Sequence, residues 1–247
     1  MGYFSPEGPR VLAHRGLAVD APENTLTAFE AAVRSGAAYV ETDVHRSRDG
    51  VAVVSHDPTL DRVAGHRVRV GDLTAAELAA IDLGRGAGLP TLADALAAFP
   101  DTRFNIDVKE AAAVDATVDA VRSTGSIDRI LLTSFDDARR RRLAGMLPGV
   151  ATSVGSAGVV RALLTGRFGA TAMRRAVRGA AALQVPERAG RVRIVSPGFV
   201  RAAHAAGLEV HVWTVNEPDD MRRLLAYGVD GLVTDRCDLA LEIVARN

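Results

Sequence analysis

Short apolar runs alternate with longer segments rich in alanine, leucine and arginine along almost the whole chain. Strand-like runs cover residues 11–14, 39–44, 103–108, 130–134, 151–154, 181–185, 208–213 and 231–234. The segments between them carry helix-start signals. The first helix is predicted to begin at Asn24 or Thr25 and to end before Gly36, while Thr74 and Thr91 each precede an acidic residue by three positions. Eight strands, each coupled to a helix within 247 residues, predict an α/β protein with a TIM-type (β/α)8 barrel rather than an open sheet.

One segment is longer than an ordinary connection between a strand and a helix. Residues 57–90 separate the second strand from its helix, and residues 51–55 form a further short apolar run just before them. We expect this insertion after the second strand to form a small excursion over the barrel mouth. No repeat, low-complexity tract or linker interrupts the chain, so residues 1–247 are predicted to form a single domain.

Composition and charge narrow the class of protein. Thirty basic and thirty acidic residues give a formal net charge of zero, so the overall charge does not indicate a nucleic-acid partner. The basic runs at 139–142 and 174–178 are interpreted as solvated helix faces rather than a phospholipid-binding patch, and no stable membrane association is expected. The single Cys237 rules out a disulfide framework, and neither a signal peptide nor a bilayer-spanning apolar stretch is recognisable. These features predict a soluble cytoplasmic protein and leave its oligomeric state open.

Acidic side chains cluster where two of the predicted strands end. Side chains alternate between the two faces of a strand, so Glu41 and Asp43 project from one face, as do Asp107 and Lys109. In a barrel this face points into the mouth, where active sites of the fold lie. Three converging carboxylates repel one another unless a cation compensates them, and an all-oxygen set suits Mg²⁺ or Ca²⁺ better than zinc. The alternative, structural salt bridges with arginines, is less favoured because two histidines are predicted nearby.

Basic and imidazole side chains complete this cluster. Lys109 is the only lysine among thirty basic residues, which indicates a position that requires a compact ammonium group. Together with Arg15, which follows the first strand, it would form a positive pocket of the kind that holds phosphate. His14 and His56 each end an apolar run. Because an imidazole titrates near neutrality, this pair is suited to acid–base catalysis.

The remaining histidines lack this company. His45, His66 and His204 are interpreted as surface or loop residues. His211 shares the inward face of its strand with Trp213, but it fits a core layer equally well.

The motifs that carry these residues follow one another in a specific order. They are His14-Arg15-Gly16, Pro22-Glu23-Asn24-Thr25, Glu41-Thr42-Asp43, Asp49-Gly50, His56-Asp57-Pro58-Thr59-Leu60-Asp61-Arg62, Asn105-Ile106-Asp107-Val108-Lys109, Trp213-Thr214-Val215-Asn216 and Gly231-Leu232-Val233-Thr234-Asp235. Each is weak alone, but their order and spacing from about residue 11 to 235 are specific. On these motifs the chain resembles the glycerophosphodiester phosphodiesterase family.

The resemblance implies a TIM barrel with a short insertion, a divalent metal, and hydrolysis of glycerophosphodiesters to sn-glycerol 3-phosphate and an alcohol. By their positions in the motifs, His14 and His56 resemble the acid–base pair of the family, and Glu41, Asp43 and Asp107 resemble its metal ligands. Arg15 and Lys109 resemble its phosphate-binding residues, and Trp213 resembles the aromatic wall at the glycerol end. Glu23 and Asn24 are expected to orient the first loop rather than to touch the substrate.

Two positions depart from the family pattern, and two alternatives remain. Asp107 stands where the family often has glutamate, so this ligand would bind through water or from a closer strand. Arg236-Cys237 replaces a usual proline and alters a loop at the barrel rim. One alternative is a relative that cleaves lysophospholipids or other phosphodiesters, although the polar residues of segment 57–90 favour soluble substrates. The other is an inactive barrel that senses a phosphate ligand or acts as a scaffold, although no catalytic group is missing.

Overall fold

Eight parallel strands curve into a barrel in the computed structural model, which describes residues 2–65, 67–177 and 179–246. The strands in chain order are β1 (Arg10–His14), β2 (Tyr39–Arg46), β3 (Ala52–Val54), β4 (Arg103–Val108), β5 (Ile130–Thr133), β6 (Ala151–Thr152), β7 (Ala182–Pro186), β8 (Arg188–Ala189), β9 (Val192–Arg193), β10 (Glu209–Trp213) and β11 (Gly231–Thr234). The barrel strands follow the order β6-β5-β4-β2-β1-β11-β10-β7. A parallel pairing of Ser153 with Ala182 brings the two ends of this sheet together. The predicted (β/α)8 barrel is therefore confirmed.

Helices connect successive barrel strands. They are α1 (Leu26–Arg34), α2 (Asp61–Ala64), α3 (Ala75–Ala79), α4 (Leu92–Ala98), α5 (Ala113–Ser123), α6 (Asp137–Met146), α7 (Ser156–Thr165), α8 (Ala170–Val177), α9 (Pro197–Ala205), α10 (Pro218–Ala226) and α11 (Cys237–Ala245), with 3₁₀ turns at Val70–Asp72, Ile127–Arg129 and Gly166–Phe168. Thr25, rather than Asn24, is the N-cap of α1, and Thr74 and Thr91 cap α3 and α4 as predicted. None of the helices in the described parts of the chain has the length and apolar composition needed to cross a bilayer.

Alternation along the strands separates two apolar clusters. Val40, Val44, Ile106 and Val108 are fully buried between the sheet and the helices. The opposite faces supply a second cluster inside the barrel, made of Leu12, Tyr39, Leu131, Ala182 and Val233, and Tyr3 from the segment before β1 packs with them. Since this cluster fills the interior below the mouth, the carboxyl ends of the strands are where polar groups can meet around free space.

The segment between β2 and α4 has a small apolar cluster of its own. β3 pairs antiparallel with β2, and Val53 of β3 packs with Leu60, Val70, Leu78 and Leu89. This burial stabilises the predicted excursion as an ordered element next to the mouth. His56 stands at its beginning and faces the barrel.

Histidines outside the predicted site occupy three kinds of environment. The prediction for His45 is wrong: it is 5% exposed on β2, and its Nε2 lies 3.2 Å from the backbone oxygen of His56. His204 is exposed on α9, as expected. His211 belongs to the barrel core, where a Cβ on Gly231 would lie 2.7 Å from its ring; glycine therefore makes room for the imidazole. The prediction for His66 falls outside the described residues.

Candidate active site

The carboxyl ends of the barrel strands surround a cavity of about 390 Å³. All of the residues predicted to form the site line it: His14, Arg15, Glu41, Asp43, His56, Asp107, Lys109 and Trp213. Strand register explains how distant motifs meet, because Glu41 pairs with His14 on one side and Asp43 pairs with Asp107 on the other. Their roles remain predictions, but their convergence is a property of the fold.

Lys109 lies between two buried aspartates. Its Nζ is 2.7 Å from Asp43 Oδ1 and 2.6 Å from Asp107 Oδ2. Burial lowers the pKa of Lys109, but the two carboxylates outweigh burial, so the pKa is raised. The ammonium is therefore held charged, and it compensates carboxylates that would otherwise be costly to bury side by side.

Arg15, in the turn after β1, contacts Asp43. Its backbone adopts a φ of 56°, its Nη1 donates to Glu23 Oε1 at 2.9 Å, and its Nε lies 3.3 Å from Asp43 Oδ2. At the following residue, Gly16, a Cβ would lie 2.6 Å from the carbonyl carbon of Ala28. The turn therefore requires glycine, and it directs the guanidinium towards the cavity.

Glu41 is buried beside both the first histidine and the aspartates. Its Oε2 accepts a 3.3 Å hydrogen bond from the backbone N–H of Arg15 and lies 3.9 Å from His14 Nε2. Burial and the Asp43 carboxylate raise the pKa of Glu41 to about 8. Without an added cation, this carboxyl group is therefore largely protonated at neutral pH.

A carboxylate orients His14 from the last barrel strand. His14 Nδ1 lies 2.6 Å from Asp235 Oδ1, and Asn216 Nδ2 donates to the other carboxylate oxygen at 2.7 Å. The hydrogen bond with His14 lowers the pKa of Asp235, so the carboxylate accepts and Nδ1 donates. This arrangement leaves His14 Nε2 directed to the cavity side, towards Glu41.

A second histidine–carboxylate pair is built around His56. Its Nδ1 lies 2.7 Å from Asp57 Oδ1, and Arg62 Nε donates to Asp57 Oδ2 at 2.6 Å. Arg62 also donates to both oxygens of Glu23, at 3.0 and 2.6 Å. Since Glu23 binds Arg15, this network links the insertion to the turn after β1.

Sequence reasoning did not assign Asp235, Asn216, Asp57 or Arg62 to the site. Two signals were present: Asp57 directly follows His56, and Asp235 directly follows β11, which pairs in parallel with β1. Asn24 does more than orient its loop, because its Nδ2 donates to Asp43 Oδ2 at 3.1 Å.

Aromatic side chains form one wall of the cavity. Trp213 and Phe135 meet edge to face with ring centroids 6.0 Å apart, and Lys109 Nζ lies 5.9 Å from the Phe135 centroid. Phe135 was also missed from the sequence, because it sits in the loop after β5 and is 60% exposed. The cavity therefore combines a charged side with an apolar side.

The three predicted metal ligands line the same cavity, but their carboxylates are not arranged around a common coordination point. Within residues 2–65, 67–177 and 179–246, no group of three or more His, Cys, Asp or Glu side chains is arranged as a ready metal site. Lys109 stands between two of the carboxylates instead. Asp107 Oδ1 is nevertheless buried without a hydrogen-bond partner among the described atoms, and such an atom is unusual unless a ligand satisfies it.

Comparisons with known proteins identify the family of this chain. Residues 14–239 match the model of the glycerophosphoryl diester phosphodiesterase family. A Mycobacterium tuberculosis protein named "Probable glycerophosphodiester phosphodiesterase 2" is 41% identical over 98% of this chain and 93% of its own length. The crystal structure of an Agrobacterium tumefaciens glycerophosphodiester phosphodiesterase is 28% identical with a TM-score of 0.80, covering 96% of this chain and 99% of that one.

A more distant structure supports the fold. An Oleispira antarctica phosphodiesterase, solved in complex with the product sn-glycerol-3-phosphate, has a TM-score of 0.83 at 24% identity and covers 96% of this chain and 97% of its own. From the family match over nearly the whole length and the 41% identical relative, it follows that this chain is an enzyme that belongs to the glycerophosphoryl diester phosphodiesterase family.

Proposed function

We propose that this protein hydrolyses glycerophosphodiesters to sn-glycerol 3-phosphate and an alcohol. The observation that carries the proposal is the joint lining of one cavity by two carboxylate-bound imidazoles, a guanidinium, an ammonium and three acidic side chains. The family match and the name of the 41% identical relative support the same substrate class. Arg15 and Lys109 would bind the phosphodiester oxygens, and the Trp213 wall would contact the glycerol carbons.

The acidic residues fit a hard divalent cation. They offer only oxygen atoms, and Asp107 Oδ1 is buried with no hydrogen-bond partner among the described residues. Glu41, Asp43 and Asp107 would hold Mg²⁺ or Ca²⁺. A bound cation would neutralise developing charge and acidify a substrate hydroxyl. Asp107 is one methylene shorter than the glutamate that the family often has here, but it still supplies the third carboxylate of this ligand set.

The two histidines would move the protons. His14 Nε2 accepts the proton of a glycerol hydroxyl, whose oxygen attacks phosphorus. The bond between phosphorus and the alcohol oxygen breaks, and His56 donates a proton to the departing alcohol. Water then opens the resulting cyclic phosphate: His56 takes a water proton, and His14 returns its proton to the glycerol oxygen. Direct attack by water, assisted by one histidine, is the simpler alternative.

A coupled assay tests the activity. The protein is incubated with glycerophosphocholine and Mg²⁺ or Ca²⁺, and glycerol 3-phosphate is detected with a dehydrogenase. We expect turnover that excess EDTA abolishes, and a fall on the order of 10²–10⁴-fold for His14→Ala and for His56→Ala. A substrate that lacks the attacking hydroxyl separates the two routes, because only direct attack by water would cleave it.

The alternatives predict different outcomes of the same experiment. A panel that varies only the alcohol and the acylation of the glycerol identifies an enzyme that prefers lysophospholipids. Tight binding of glycerophosphocholine without product would indicate a sensor. Full turnover in excess EDTA would refute the metal assignment.

A further inference from the structure

Basic and acidic residues are unevenly distributed along this electrically neutral chain. Residues 138–208 contain thirteen arginines and a single acidic residue, Glu187, whereas the rest of the chain contains seventeen basic and twenty-nine acidic residues. In the fold, this stretch runs from Ala138, the second residue of α6, through α7, α8 and β7 to the end of α9. Asp137, the first residue of α6, lies just outside it and pairs with Arg161. One sector of the barrel is therefore strongly positive although the whole molecule is neutral.

The same sector exposes an apolar stripe. Val160 and Leu164 on α7 and Phe168 in the 3₁₀ turn that follows are 55%, 51% and 81% exposed. Val160 and Leu164 are four residues apart and therefore share one side of α7, and Phe168 follows in the turn that ends the helix. The inner side of α7 is packed, since Ala162 is fully buried. Three large exposed apolar side chains within residues 160–168 are more than scattered surface hydrophobics.

Exposed arginines stand in the 3₁₀ turn and on the neighbouring helix α8. Arg167, Arg174 and Arg175 are exposed, and among the described residues none of them has a carboxylate oxygen within 4.0 Å. The 3₁₀ turn contacts α7, α8 and α9, so the stripe and these arginines belong to one continuous surface. We call this surface the basic–apolar sector, formed by Val160, Leu164, Phe168, Arg167, Arg174 and Arg175.

We propose that the basic–apolar sector binds the surface of an anionic lipid bilayer. Helices that lie in a membrane interface combine an apolar stripe with exposed basic residues, as these residues do. Charge complementarity favours this occupant: two copies meeting through the same face would bring like charges together, whereas anionic headgroups would neutralise them. Membrane binding here is the alternative to the solvated helix faces expected from the sequence for Arg174 and Arg175, and it does not depend on the proposed activity.

The sector adjoins the mouth of the barrel. Val159, next to Val160 in the sequence, lines the cavity. Docking through α7 and α8 would therefore hold the side of the barrel against the bilayer and leave the cavity entrance close to the headgroup layer.

Vesicle flotation of the full-length protein tests the proposal. The probes are phosphatidylcholine vesicles with and without phosphatidylglycerol, at low and high ionic strength. We expect binding only to the vesicles that contain phosphatidylglycerol, and weaker binding at high salt. Arg167→Gln/Arg174→Gln/Arg175→Gln should lower the partition coefficient on the order of 10²-fold, since each basic residue contributes roughly a factor of five near an anionic surface.

The control variant removes three positive charges elsewhere, from arginines that each lie within 4.0 Å of a carboxylate oxygen. Arg34, Arg67 and Arg246 have side chains that are 76%, 96% and 79% exposed, and they lie outside residues 138–208. Their triple change to glutamine should leave binding within about twofold of the original, because distant exposed charges are screened. Leu164→Ser/Phe168→Ser tests the apolar stripe and should weaken binding at least about tenfold.

Three results would overturn the proposal. They are failure of the unaltered protein to bind anionic vesicles, equal loss in the control and sector variants, and equal binding to vesicles of phosphatidylcholine alone. A dimer in light scattering that Phe168→Ser dissociates, without vesicle binding, would assign the sector to a second copy instead. Catalytic turnover measured on a soluble substrate should be unchanged in all variants, so this test is separate from that of the activity.

Discussion

Variants of Asp235 can distinguish whether its carboxylate acts by fixing the tautomer of His14 or only by its negative charge. In the structure Asn216 Nδ2 donates to Asp235 Oδ2 at 2.7 Å, and His14 Nδ1 donates to Oδ1 at 2.6 Å. In an Asp235→Asn variant, the amide oxygen would keep the bond from Asn216, so the NH₂ group would face His14. The imidazole would then have to accept at Nδ1 and carry its proton at Nε2, where it can no longer accept a proton from a substrate.

The size of the effect follows from the two bonds involved. A hydrogen bond to a charged group contributes about 1.5–3 kcal/mol, and we take about 2 kcal/mol because the Asp235 side chain is half exposed. The new amide–imidazole bond stabilises the wrong tautomer by about 1 kcal/mol more. Together these give about 3 kcal/mol, or a fall in turnover on the order of 10²-fold. Asp235→Ala loses only the first contribution and should fall by about 10–30-fold.

The assay is the coupled release of glycerol 3-phosphate, with kcat and KM measured separately. Asn216→Ala combined with Asp235→Asn leaves the new amide at position 235 free to rotate, so turnover should recover towards that of Asp235→Ala. Asn216→Ala alone measures the effect of losing the Asn216 side chain on the loop. Asp238→Asn removes a nearby carboxylate that binds the Arg236 side chain and does not contact His14 among the described residues, so its turnover should be unchanged. An asparagine variant as active as the original, or one no worse than Asp235→Ala, would refute the tautomer argument.

Other predictions concern the cation, the lysine, and the insertion. The pKa of Glu41 is raised to about 8, so binding of Mg²⁺ or Ca²⁺ near pH 7 should displace a proton, and the affinity for the cation should increase as the pH rises. Above that pKa the carboxyl group is already ionised, and proton release should diminish. Calorimetry in buffers of different ionisation enthalpy measures the number of protons released. Lys109→Met leaves two buried carboxylates without their ammonium and should lower the free energy of unfolding by about 3–5 kcal/mol without a cation, with part of the loss recovered when Mg²⁺ is added; no recovery would argue against a cation site there. Thr74→Ala removes the capping box of α3 and should lower stability by about 1 kcal/mol in urea unfolding, with turnover unchanged.

The sequence alone determined the features that repeat locally. Alternating apolar residues identified the barrel strands to within a few residues, and cap residues such as Thr74 located helix starts, because both signals depend on neighbours along the chain. The family motifs identified the side chains that meet at the mouth, because the carboxyl ends of parallel strands always share one edge.

Tertiary structure decided which of these groups touch. The contact of Lys109 with two aspartates, the hydrogen bond between His14 and Asp235, and the burial of His45 all depend on strand register and side-chain direction. No local sequence pattern encodes these contacts, because each one joins residues that are brought together only when the barrel closes. The exposed side of α7 is of the same kind: its apolar residues are visible in the sequence, but only packing shows which of them face outward.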